Sequence, residues 1–488
     1  MKRKYLVALV ALTFIFTALF AGGGCADDIS RDLNEDNGKL RFEPVYGADK
    51  VVGYAVTGIG EYSGTEVLIP EKHNDKPVVE IKDNAFAGNA RITYVDMCGY
   101  VTKIGDYAFY GCKNLRAIGL SENLVKVGLG AFGDCGSLEY NVYDNGNYLG
   151  NDQNPFLVYV SPSKSAKEYT LSADTKLIYG QAFDKTVEKI TLPKGLKYLS
   201  GYSFRGCDAL ETVVLPKDNT DYFTDGDVIT DKNGALVLAT GSKDLSDKEF
   251  SSVAPYAFTI YRAEAINLPD AATAIEDSAF AYAGAKTVRF GKHVESIGAG
   301  IFYRADKLTT ISDFENDFYR AVKNCVISVK DKAVIAGCGG SEIPADASVT
   351  SVGKQAFYAC GTLKSIFVPR NIVKLGSKAF YFCTALESVG FAENGLKQVG
   401  EHAFTLCRAL KSIYLPEGLT HIFDGAFSTS GVEEITLPST LLSIGEGAFG
   451  GCADLKKITF SGTREQFESI TVLSGNEALD QSAIIYKN

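Results

Sequence analysis

One spacing of apolar residues recurs along most of the chain: an aliphatic position, three variable positions, then Ala-Phe. The phenylalanines are Phe86, Phe109, Phe132, Phe183, Phe204, Phe258, Phe280, Phe302, Phe357, Phe380, Phe404, Phe427 and Phe449. Five residues before each stands Ile, Leu or Val, from Ile81 and Ile104 through to Ile422 and Ile444. The residue just before the Phe is Ala except at Ser203 and Ile301. An aliphatic match in every copy is far beyond chance and marks a structural repeat. Most steps are 21–24 residues, whereas those after Phe132, Phe204 and Phe302 are 51, 54 and 55.

A second pattern follows the Phe, Leu-x-x-Ile-x-Leu-Pro, as in LETVVLP (210–216), LKSIFVP (363–369), LKSIYLP (410–416) and VEEITLP (432–438). Its two-residue alternation is that of a strand with one buried face. The closing proline stops it, because proline brings no ladder donor. The Ala-Phe segment does not alternate and often opens on glycine (Gly105, Gly128, Gly376, Gly400), which suits a tight helical turn or bend. One coil of this length cannot bury its own Ile, Leu and Phe, so the coils must stack. The expected fold is mostly β: a solenoid of short parallel strands with tight helical turns on its back, over residues 81–460. Residues 39–80 and 461–488 depart from the repeat and read as caps, the second with a short helix signal in REQFESI.

The three long steps hold extra hairpins near 141–160, 222–239 and 318–338. In the second, Asn233-Gly234 between two apolar runs is a strong turn signal. Such hairpins either project and carry specificity or merely widen a coil.

The two patterns together, Leu-x-x-Ile-x-Leu-Pro and Ile-Gly-x-x-Ala-Phe-x-x-Cys, resemble the BspA-type leucine-rich repeats of bacterial surface proteins. VTGIG…VLIP near the start and FSGTREQFESI near the end resemble segments that flank such arrays. The resemblance spans roughly residues 50–488. It implies an α/β leucine-rich-repeat solenoid that is a binding scaffold and not an enzyme, with adhesion to host matrix proteins or other bacteria known for some members.

The first residues change the setting. Lys2, Arg3 and Lys4 precede an uncharged run from Tyr5 to Phe20, then Ala21-Gly22-Gly23-Gly24-Cys25. This is the plan of a secretory signal over 1–24. The small residues before Cys25 resemble a bacterial lipobox, which implies lipidation of Cys25 and a membrane contact through that lipid; Gly22 stands where such a motif usually has Leu. Residues 25–38 are polar and acidic and read as a tether. The formal charge is −10, and −13 without the three cations of the signal. An acidic chain without a Lys/Arg block argues against nucleic acid.

Chemistry-bearing residues are few. Cys112, Cys135, Cys207, Cys360, Cys383, Cys407 and Cys452 all lie three residues after a Phe. One repeat position faces one interior wall, so these read as buried free thiols that behave as small hydrophobes. Cys325 and Cys338 flank the third hairpin, where pairing stays open, and Cys98 has no evident partner. His73, His293, His402 and His421 are scattered and there is no Cys-x-x-Cys, so no metal site is expected. Gly128-Leu129-Gly130-Ala131-Phe132-Gly133 matches a dinucleotide fingerprint by letter, but it overlaps the repeat's own Ala-Phe and lacks the strand–turn–helix setting. No catalytic or cofactor-binding constellation stands out.

The strand positions between the buried residues face outward. Tyr94, Asp96, Arg289, Phe367 and Tyr414 among them are candidates for a ligand face. The expected function is adhesion to an extracellular protein or glycan of a host, matrix or neighbouring cell. Two other readings stand beside it: a structural envelope component without a ligand, and a glycan-capture lipoprotein. The absence of Trp, a favoured sugar-stacking residue, weighs against the latter.

Overall fold

The structure, a computed structural model, describes residues 39–48, 50–97, 99–241, 243–480 and 483–487. The signal segment, Cys25, the tether to residue 38, and Cys98 lie outside the described residues. The chain divides into two compact units, one up to Ala182 together with Gly195–Tyr198, the other Phe183–Lys194 and Leu199 onward.

In the first unit each coil contributes two strands to two separate parallel sheets. The strands just before the Ala-Phe turn, Lys76–Ile81, Lys103–Ile104 and Lys126–Val127, form one. The Ile-x-Leu strands, Glu66–Ile69, Tyr94–Met97 and Ala117–Gly119, form the other. Arg41–Gly47 pairs antiparallel with Lys50–Gly58, which then pairs parallel with Lys76–Ile81. This hairpin covers the first edge of the sheet, which otherwise would expose a row of unpaired backbone groups.

The second unit repeats the plan. Its longest sheet ends in the parallel run Ala333–Gly337, Ser351–Val352, Lys374–Leu375, Gln398–Val399, His421–Ile422, Ser443–Ile444 and Thr471–Val472. The Ile-x-Leu strands pair alongside, as Ser365–Val368 with Ser388–Phe391, and Ser412–Tyr414 with Glu434–Leu437 and then Lys457–Phe460. Between the sheets the repeat phenylalanines stack. Phe357, Phe380, Phe404, Phe427 and Phe449 follow one another at 5.0–5.3 Å between ring centroids and within 10° of parallel.

The back of the coil differs from the helical turn that the glycine and Ala-Phe spacing predicts. Almost no helix occurs among the described residues; the exceptions are a 3-10 turn at Gly201–Phe204 and two short segments, Arg464–Glu468 and Glu477–Asp480. Most turns instead carry left-handed residues two before and two after the Phe. Examples are Gln355 (φ 57°) with Ala359 (φ 52°), and Lys378 (φ 57°) with Phe382 (φ 59°). The left-handed residues unwind a helix and turn alternate N–H groups toward the next coil. Phe357, Phe380, Phe404 and Phe427 donate to Ala379, Ala403, Ala426 and Ala448 O at 2.7–2.9 Å. An α-helix would spend these donors within itself, and the neighbouring coil would lose its third ladder.

Three antiparallel meanders fill the long steps. They are Asn141–Tyr143/Gly146–Leu149/Val158–Pro162, Tyr222–Asp225/Val228–Asp231/Ala235–Ala239, and Tyr319–Val322/Cys325–Ser328/Ala333–Gly337. The last strand of each pairs parallel with the next coil's strand, and Ala235–Ala239 is buried throughout. Each insert therefore stands in for a coil strand in the sheet, and in the third Tyr319–Val322 is further paired with Phe314–Glu315.

Candidate binding surfaces

The five sequence-derived surface residues divide by exposure. Tyr94 and Asp96 sit on one strand of the first unit, opposite Ala117 and Gly119. Both are half-buried. The Asp96 carboxylate lies so close over Gly119 that an added Cβ there would be 2.6 Å from its oxygen. Burial pushes its carboxyl above the usual carboxylate range. In the second unit Arg289 is half-buried too, its Nη2 donating to Leu268 O at 3.4 Å. Asp96 and Arg289 are each folded against a neighbouring coil, and Tyr94 is half-buried on the same strand as Asp96.

Phe367 and Tyr414 are different. Phe367 is 57% exposed and Tyr414 43%. They project from the same strand position two coils apart, with Gly390 in register beside Phe367. Without a side chain at Gly390, the Phe367 ring lies across the strand, 2.9 Å from where a Cβ would be. Tyr414 Oη donates to Glu393 Oε1 at 2.7 Å, and that carboxylate also accepts from Glu417 N at 3.0 Å. The hydrogen bond to Glu393 pushes the Tyr414 phenol up to about 12, so it remains a donor. The pair makes an exposed aromatic surface with a fixed polar rim.

The repeat cysteines are all free and buried, and so are Cys325 and Cys338, which form no disulfide. Their thiols have a specific partner. Cys112, Cys135, Cys383, Cys407 and Cys452 donate S–H to the carbonyl of the Phe one coil earlier, Phe86, Phe109, Phe357, Phe380 and Phe427, at 3.0–3.1 Å. Burial pushes Cys360 up to about 11, Cys407 up to about 12, and Cys383 well above the ordinary thiol value. Since the thiolate is the reactive form, Cys360, Cys383 and Cys407 should resist alkylation in the native protein at mildly alkaline pH. All three should label fully after denaturation without reductant. Mass spectrometry that found them blocked when denatured, or rapidly labelled when native, would overturn the buried-thiol role. Among the described residues no cluster of His, Cys, Asp and Glu could hold a metal ion.

A further cluster has no counterpart among the sequence expectations. On the back of the second unit, Tyr202, Tyr256, Tyr282, Tyr303, Tyr358 and Tyr381 follow one another at centroid distances of 4.8–6.5 Å. All six are half-buried. The signal lay in GYSF, PYAF, FAYAG, FYR, AFYAC and AFYFC, beside the very Phe that defines the repeat.

Residues 56–153, 160–226, 246–330 and 331–474 match the family model for the BspA type Leucine rich repeat region, in 6 copies. Among solved structures, a leucine rich cell surface protein from Faecalibacterium prausnitzii A2-165 is 25% identical. The match covers 89% of this chain and 96% of that one, with a TM-score of 0.40. A leucine-rich repeat protein from Bacteroides ovatus is 20% identical over 92% of this chain and 98% of its own, TM-score 0.33. One from Eubacterium ventriosum is 20% identical over 81% and 94%, TM-score 0.34. No curated protein matches the chain.

Proposed function

The chain belongs to the BspA type leucine rich repeat family, and from that premise we propose that it is an exported, cell-surface binding scaffold without catalytic chemistry. It holds an extracellular protein or glycan on the outer face of its strand sheet and is anchored by lipid on Cys25. The exposed Phe367–Tyr414 surface carries the reading. Interiors of such coils are spent on packing, so recognition falls to outward side chains on a rigid sheet, and aromatic residues dominate the energetics of such contacts.

The test is an array of glycans and matrix proteins probed with the secreted chain. A Phe367→Ser, Tyr414→Ser double variant should keep its circular dichroism and melting and lose binding by ~10-fold or more. The contrasting variant is Phe223→Ser, Phe318→Ser, which strips exposed rings near the outer strands of two meanders. Deleting 222–239 would not serve, because it removes the buried strand Ala235–Ala239. If only the meander variant lost binding, the ligand face would be the inserts. If no ligand bound and cells lacking the protein adhered normally, the structural-envelope reading would replace this one. Cys25→Ala should release the protein from the membrane fraction, and retention there would remove the lipid anchor.

A further inference from the structure

The six tyrosines on the back of the second unit are not required by the turn that bears them. Residues just after the repeat Phe include Tyr358 and Tyr381, yet Thr405, Ser428 and Gly450 hold the same position in later coils. Those later coils keep the same backbone ladder, with Phe404 donating to Ala426 O and Phe427 to Ala448 O, both at 2.7 Å. The backbone ladder therefore does not require Tyr358 or Tyr381. The tyrosines also outlast the other regularities of the fold. No phenylalanine stacking bridges Phe204 to Phe258 or Phe302 to Phe357 across the inserts among the described contacts. The tyrosines pass both places, with Tyr202 and Tyr256 at 4.8 Å and Tyr303 and Tyr358 at 5.1 Å.

Cations accompany this ribbon. The Arg205 guanidinium lies 4.2 Å from the Tyr282 ring centroid and donates to Tyr202 Oη at 3.1 Å. Arg304 lies 5.8 Å from the ring of Phe382, and Lys378 5.8 Å from that of Tyr381. The acids nearby are engaged: Asp306 pairs with Arg304 at 3.3 Å, and Asp277 Oδ1 accepts from Ala299 N at 2.7 Å. Beyond the ribbon this side becomes uniformly acidic. The position three before the Phe is Gly201, Pro255, Asp277, Ala299, Lys354 and Ser377 within it, and Glu401, Asp424 and Glu446 in the coils after it.

We propose that this tyrosine ribbon is a binding track for a linear anionic polysaccharide, one bearing carboxylates or sulfates. It rests on the reading of the chain as a binding scaffold but uses a different surface. A track one ring wide and six rings long fits an extended polymer better than a folded partner, whose interface spreads over a broad patch. Each tyrosine offers an apolar ring and a polar tip, which suits the apolar ring faces and hydroxyls of a sugar. Arg205, Lys354 and Lys378 supply the charge complement. The chain's net negative charge opposes this only weakly, because beyond a Debye length of about 8–10 Å exposed charges are screened.

The probes are immobilised chondroitin sulfate and hyaluronan, with dextran as the neutral contrast and oligothymidylate as the nucleic-acid contrast, all read against the whole secreted chain. Binding to at least one acidic polysaccharide is expected, weakening as salt rises. A Tyr358→Thr, Tyr381→Thr double variant, which copies the Thr405 position of the next coil, should bind at least ~10-fold more weakly with little change in melting. Lys378→Glu is the second variant, leaving the aromatic stack intact, and should also weaken binding. Binding to neither acidic polysaccharide, equal binding to dextran, or preference for oligothymidylate would overturn the proposal. So would ribbon variants that bind normally but melt early, which would make the tyrosines a structural brace. Polysaccharide binding lost only in the Phe367→Ser, Tyr414→Ser variant would remove the ribbon and leave the scaffold reading standing.

Discussion

Phe380→Ala is expected to lower unfolding free energy by about 3–5 kcal/mol, the range for emptying a large aromatic site in a packed core. Phe380 has no exposed surface and lies between Phe357 at 5.0 Å and Phe404 at 5.2 Å, tilted 8° and 2° from them. The hole cannot close readily. Phe357 N–H bonds Ala379 O at 2.8 Å and Phe380 N–H bonds Ala403 O at 2.9 Å, so the backbones on both sides hold their spacing. In a stack of coils stability is a sum of intrinsic and nearest-neighbour terms, and this change weakens two interfaces at once. Urea denaturation of Phe380→Ala and Phe380→Leu beside the parent chain would measure it. The leucine should recover part of the loss, and an Ala midpoint equal to the parent's would mean that the rings do not form a load-sharing stack.

Asn476→Leu should cost about 2–4 kcal/mol, centred on the last coil, by leaving two or three buried polar groups without partners at ~1–3 kcal/mol each. The turn ladder points its N–H groups toward the next coil, and after Phe449 there is no further Ala-Phe turn to accept them. Asn476, only 6% exposed, closes the ladder. Its Oδ1 accepts from Phe449 N at 2.9 Å, while Nδ2 donates to Gly445 O and Leu473 O, both at 2.8 Å. The role parallels a helix N-cap, where a side-chain oxygen takes an orphan backbone donor. Leucine keeps the size and removes every one of these bonds. Hydrogen exchange should show the Phe449 amide losing protection first, as local opening predicts. Parent-like exchange at Phe449 in the Leu variant would mean that the ladder ends on something else.

The parts of this protein legible in its sequence are those that every coil needs alike. An aliphatic residue five before each Phe, the Ala-Phe pair and the Cys three after it recur because each coil must fill the same interior slot. All seven repeat cysteines accordingly lie buried as thiols. Periodicity also places Phe367 and Tyr414 outward, since a strand alternates its faces. It does not say how far out. Tyr94, Asp96 and Arg289 share that alternation yet are half-buried, Asp96 lying over Gly119 and Arg289 reaching Leu268 O. In the sequence the back turn reads equally as a helical turn or a bend, because glycine and small residues permit both geometries; the demand of the next coil for N–H donors decides for a bend with left-handed residues flanking the Phe. The tyrosine ribbon lay furthest from view. Its members sit two before the Phe at Tyr202 and Tyr256, one after it at Tyr303, Tyr358 and Tyr381, and two after it at Tyr282, so no single repeat column contains them. Only a turn tight enough to bring both flanks of the Phe onto one outer surface, stacked coil on coil, makes them neighbours.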